Sequence, residues 1–168
     1  MKKSMMCSLA AFSDDFGKLC LRIVLAFAMI PHGAQKVFGI FGGNGLQATW
    51  QYFTEVLQIS PLWAGTAIFV EFFAPIFLIL GVFTRIWALL LAVLMAVAMQ
   101  YHFDNGYFLN WTGNQLGEGI GFHLLYIGAA LALVLLGGGK FAFLRLCKCP
   151  DCACETTTPP AAEAATEK

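Results

Sequence analysis

The sequence predicts an all-α protein: a four-transmembrane-helix bundle with a short interfacial helix between the first two spans. Three observations carry this. Of the 168 residues, 59% are hydrophobic and only 12% are charged, where a soluble domain carries about 25% charged residues. Four apolar stretches approach the roughly 20 residues that a bilayer-spanning helix requires. Finally, Lys and Arg fall almost wholly on one side of a four-pass arrangement, the asymmetry expected of a multi-pass chain. The formal net charge is zero, so nothing in the composition points to a nucleic-acid partner.

The elements follow in order. Met1-Lys2-Lys3 is a basic start, but Ser13, Asp14 and Asp15 end the short apolar stretch after it. No small-residue cleavage site follows, so residues 1–16 are expected to stay on the chain as a cytoplasmic segment. The first span is residues 19–38. GIFGGNG (residues 39–45) then breaks the helix. In LQATWQYFTEVLQIS (residues 46–60), Leu46, Trp50, Phe53 and Leu57 recur at helical spacing, and with Trp50 and Tyr52 present this reads as a helix lying in the interface. The second span is residues 61–80. GVFTR links it to the third, residues 86–101, so tightly that the two must be antiparallel neighbours. Residues 103–116 form a polar and aromatic loop, with Tyr107 and Trp111 as interface anchors. The fourth span is residues 119–136, and Gly117-x-x-x-Gly121 at its start suggests a helix-contact face. Beyond it, FAFLRL suits an interfacial segment, CKCPDCAC is a cysteine cluster, and ETTTPPAAEAATEK has too little apolar bulk to fold. The organisation expected is a cytoplasmic segment (1–16), a membrane domain (17–143) and a cytoplasmic cysteine-rich tail (144–168).

Lys2, Lys3, Lys18, Arg22, Arg85, Lys140, Arg145 and Lys148 share one side, and Lys36 is alone on the other. The positive-inside rule therefore places both termini in the cytoplasm.

Glu71 is the informative residue. It is the one charge in the run 61–80, and a carboxylate in hydrocarbon costs roughly 2.5–3.5 kcal/mol even on the lenient insertion scale. Such a group needs a partner, water or a function. His32 and Lys36 share a face near the end of the first span, and His123 opens the fourth at a similar depth. The functional reading is a polar pocket on the periplasmic side, built from Glu71, His32, Lys36 and His123. Glu71 would accept protons there, pair with Lys36 or a histidine, or position a polar head group such as a quinone ring. Two histidines and a carboxylate also suit a metal. The structural reading is a Glu71–Lys36 pair that staples two helices. Gln100, His102 and Glu118 are assigned to ordinary interface polarity. The glycines near residue 40 lack the preceding strand and the GK[ST] of a phosphate loop.

Cys147, Cys149, Cys152 and Cys154 form C-x-C-x-x-C-x-C. Four thiolates so close can wrap one soft ion, Cu(I) or Zn(II). A cytoplasmic position keeps them reduced. The other readings are a redox pair at Cys149-Pro-Asp-Cys152, acylation, and enzymatic modification into a chelating form. Cys7 and Cys20 are expected to fill local space.

PHGAQKVFGIFGGNGL (residues 31–46), FVEFFAPIFLILGVFTRIWAL (69–89) and LLGGGKF (135–141) together resemble the DoxX family of small bacterial membrane proteins, over roughly residues 17–143. The cysteine tail is not part of that pattern. The resemblance implies a four-helix protein of the bacterial inner (plasma) membrane. Some relatives are subunits of a thiosulfate:quinone oxidoreductase, and others are linked to redox and thiol-stress systems. The function expected from it is a component of a redox or thiol/metal-stress system; any enzymatic part would be that of an accessory subunit of a membrane oxidoreductase. The alternatives are soft-metal handling through the cysteine tail and a non-catalytic scaffold. The expected partners are the lipid bilayer and the proteins of a redox or metal-homeostasis complex.

Overall fold

The computed structural model describes residues 2–110, 112–113 and 117–143, with side chains from Phe12 onward. Within them all the regular structure is helical: α1 (Lys2–Phe38), α2 (Gly45–Gln51) running into a π-turn (Tyr52–Val56), α3 (Pro61–Leu80), α4 (Thr84–Tyr101), a 3₁₀ turn (Phe103–Asn105) and α5 (Gly121–Leu136). No strand occurs among the described residues.

Among the described residues, three helical segments are long and apolar enough to cross a membrane: Phe12–Phe38, Pro61–Leu80 and Thr84–Tyr101. α1 runs straight through Ser13, Asp14 and Asp15. Their charges find partners along and beside the helix: Asp14 pairs with Lys18 one turn on, and Asp15 pairs with Lys140 at 3.2 Å. α5 is shorter than the expected fourth span. Its 16 residues rise about 24 Å, against a hydrocarbon core of about 30 Å. It starts late because residues 119–120 are held by the preceding loop. The Ile120 N–H donates to Gly106 at 2.9 Å, and the Gly121 N–H donates to Tyr107 at 2.8 Å. For the same reason Gly117 and Gly121 do not form a helix-contact face. A Cβ on either would meet Asn105 or Tyr107, residues of the loop.

The α3 boundaries follow from local chemistry. Pro61 occupies the first turn after Ser60, where its missing N–H costs nothing. At the other end Gly81 takes φ +72°. Its N–H bonds Leu78 while the Val82 N–H bonds Phe77, the double cap that satisfies the last carbonyls. The stack of Phe77 on Trp87, centroids 4.7 Å apart, fastens α3 to α4 across this turn.

α1 packs on α3 and α4 on α5, while α3–α4 and α1–α5 contacts close the ring. Ala26, Ala74, Ala88 and Ala130, one from each long helix, are fully buried. Small residues let helix backbones approach closely where lipid offers no hydrophobic drive. Leu78, Leu91 and Leu133 fill the space between them. Phe27, Leu125 and Leu135 point outward, onto the face that meets lipid.

One end of the bundle is tied by Arg22, which is fully buried. Its guanidinium donates to Leu78 at 2.8 Å, Ile79 at 2.7 Å and Gly138 at 3.0 Å. These are carbonyls at the C-terminal end of α3 and just past α5, where two helix dipoles present negative ends. From sequence Arg22 counts only towards orientation; its role as a clamp depends on which helix ends meet.

Candidate functional site

The opposite end of the bundle carries the polar residues. Here α1 and α3 touch at backbone distance. A Cβ on Gly33 would lie 2.7 Å from the Glu71 carbonyl oxygen and 2.9 Å from the Phe72 Cα. Glycine is required at this point because no side chain fits between the two helices. The same carbonyl lacks its helical donor, because the residue four positions on is Pro75, which has no N–H. Backbone contact between the helices sets the Lys36 ammonium on both carboxylate oxygens of Glu71. The carboxylate is buried, and the Phe53 ring of the π-turn lies 5.8 Å from the Lys36 Nζ, within cation–π range.

Beside this pair lies a cavity of about 560 Å³. Its ionisable lining is His32, Lys36, Glu71, His102, Glu118 and His123. His32 comes from α1, Glu71 from α3, His102 from the end of α4 and His123 from α5, so every long helix contributes. The His102 and His123 rings are 4.9 Å apart; His123 bonds the Gly119 backbone, and among the described residues the buried His102 Nδ1 has no hydrogen-bond partner. His32 lies 6.1 Å from the Phe122 ring. Leu109 and Asn110 bring the loop over the cavity. Glu118 secures that loop: its Oε2 accepts the Asn110 N–H at 2.9 Å, and its carbonyl accepts the Asn105 amide at 3.2 Å.

The four residues read from sequence as one pocket, His32, Lys36, Glu71 and His123, thus lie on one cavity wall. His102 and Glu118, read as interface polarity, lie on it too. The signal that could have found His102 is depth: it ends one span and His123 opens the next, so an antiparallel arrangement sets them level. Gln100 is exposed and away from the cavity. Cys20 is exposed on α1 rather than filling local space. Among the described residues no three His, Cys, Asp or Glu side chains are gathered to hold a metal; this includes His32 and His123 with Glu71. Cys147, Cys149, Cys152 and Cys154 lie outside the described residues, as does Trp111.

The sequence model of the DoxX family matches residues 17–104, just over half the chain. The chain belongs to the DoxX family. It is also 29% identical over 143 residues to an uncharacterized protein of Haemophilus influenzae, covering 84% of this chain and 90% of that one. No solved structure matches. Family and apolar helices together make this DoxX chain a membrane protein. The matched region contains His32, Lys36, Glu71 and His102 and stops before Glu118 and His123. The cavity is therefore completed by residues outside the matched stretch.

Proposed function

We propose that this DoxX protein is a component of a membrane redox or thiol/metal-stress system, and that its cavity receives the polar head group of a membrane-soluble carrier such as a quinone. The observation that carries this is the Lys36–Glu71 pair set into a cavity wall with three imidazoles. About 560 Å³ is within the range of small-molecule sites, roughly 300–1,000 Å³. Lys36 offers donors to a ring carbonyl, a histidine offers a second, and Glu71 is placed to take or return a proton. An intramembrane ion pair is costly to desolvate, and buried ionisable groups at membrane depth usually mark a ligand or proton path. In this reading the protein sits in a bacterial inner membrane with both termini cytoplasmic and the cavity facing the periplasm. It acts as an accessory subunit rather than as the enzyme itself.

The test is the quinone content of purified protein, wild type against Glu71→Gln. Stoichiometric quinone in the wild type, lost in the variant, is expected. No quinone in either, or the same amount in both, overturns the reading.

The density of thiols in CKCPDCAC favours a second role, in which residues 144–168 are a cytoplasmic tail docking a soft ion, Cu(I) or Zn(II), at Cys147, Cys149, Cys152 and Cys154. Metal content of the full chain should exceed that of a chain ending at Leu146 by about one ion per four-thiolate site. Equal content removes the tail from consideration. If neither role holds, the bundle is a scaffold for partner proteins.

A further inference from the structure

We propose that His102 and His123 form an intramembrane binding site for a transition-metal cation of the imidazole-liking class, Cu(I) or Zn(II), distinct from the cysteine tail. Three observations converge on this pair. First, the rings come from different helices yet lie 4.9 Å apart and 32° from parallel. A metal–imidazole bond is about 2.0–2.1 Å, so small ring rotations bring a nitrogen of each onto one ion. Second, His123 is 7% exposed and bonds the Gly119 backbone, and among the described residues the buried His102 Nδ1 has no hydrogen-bond partner. Burying a polar nitrogen unsatisfied is costly; a bound cation would satisfy that of His102. A neutral imidazole can ligate through either ring nitrogen.

Third, the charge at this end favours a cation. From residue 37 to residue 84 there is no Lys or Arg, nor from 86 to 139, whereas Glu55, Glu71, Asp104 and Glu118 all fall in these stretches. Lys36 is already engaged by Glu71. Among the described residues no cation pairs with the Glu118 carboxylate on the cavity wall, and an approaching metal ion meets a favourable field.

The protein supplies two ligands. No third His, Cys, Asp or Glu stands with them among the described residues. The remaining positions therefore open onto the cavity, where Met29 and Met95 line the apolar wall. Thioethers and imidazoles suit Cu(I) and Zn(II) better than Mg(II) or Ca(II), which seek oxygen. The site shares its cavity with the head-group reading but uses neither Lys36 nor Glu71 as a ligand, so the two are tested separately.

The experiment uses the full chain in detergent or nanodiscs, with Cys147, Cys149, Cys152 and Cys154 all replaced by Ser so that the tail cannot contribute. Cu(I) and Zn(II) are titrated separately, and bound metal is measured after dialysis. One equivalent of at least one of them is expected. Its affinity should fall by more than the roughly 10–100-fold that loss of an outer-shell partner costs in His102→Gln and in His123→Gln, and be retained in Gln100→Ala. Ring-nitrogen resonances of both histidines should shift on metal addition, and unchanged helix content in the variants shows that they fold. Absence of binding to the four-Ser chain, or binding indifferent to both histidine substitutions, overturns the proposal.

Discussion

Lys36 and Glu71 behave as one unit, and the energetics of each depend on the other. Removing one partner leaves a charge in a poorly solvated place; replacing both by apolar residues of similar size does not. Lys36→Ala is therefore expected to destabilise the bundle by about 3–5 kcal/mol, read as a lower unfolding midpoint in detergent. The double variant Lys36→Met, Glu71→Leu should recover most of that loss. A double variant as unstable as Lys36→Ala would show that the charge itself is needed for the fold. Glu71 was legible in the sequence because a lone carboxylate in an apolar run needs a reason. Arg22 was not legible as a clamp. Its partners are backbone carbonyls of Leu78, Ile79 and Gly138, which carry no side-chain signature.

At the scale of elements, helix α5 and the loop before it decide how the cavity is covered. The second and third spans, the glycine break and a helix after it could be read from period and composition. The late start of α5 could not, because it depends on hydrogen bonds from residues 120 and 121 back to Gly106 and Tyr107. A Cβ on Gly121 would lie 2.8 Å from the Tyr107 carbonyl oxygen. Gly121→Ala should thus loosen the loop over the cavity while leaving α1, α3 and α4 intact. Amide hydrogen exchange at Ile120 and residue 121 should speed up about tenfold, the effect of losing roughly 1.4 kcal/mol of local stability. Unchanged protection would mean that the neighbouring backbone gives way at no cost.

For the whole molecule, charge is sorted to the two ends. The Arg22 end also holds Lys18, Arg85 and Lys140, and the cavity end is acidic apart from Lys36. By the positive-inside rule the cavity end should face away from the cytoplasm. In a chain otherwise freed of cysteine, Gly106→Cys should react with a membrane-impermeant thiol reagent added to intact spheroplasts, and Lys140→Cys should not. The reverse pattern would invert the topology proposed for this protein.

The sequence by itself determined that the chain is a helical membrane bundle, where its second and third spans lie, and that Glu71 needed company. These follow from hydrophobic period and the cost of a charge in hydrocarbon, which are local. Only the tertiary structure decided that Lys36 is the partner, since that rests on Gly33 letting α1 meet α3 backbone to backbone. It also decided that His102 stands with His123 and that Arg22 ties two helix ends together. Those are contacts between residues far apart in the chain, set by helix rotation and approach, which no local pattern encodes.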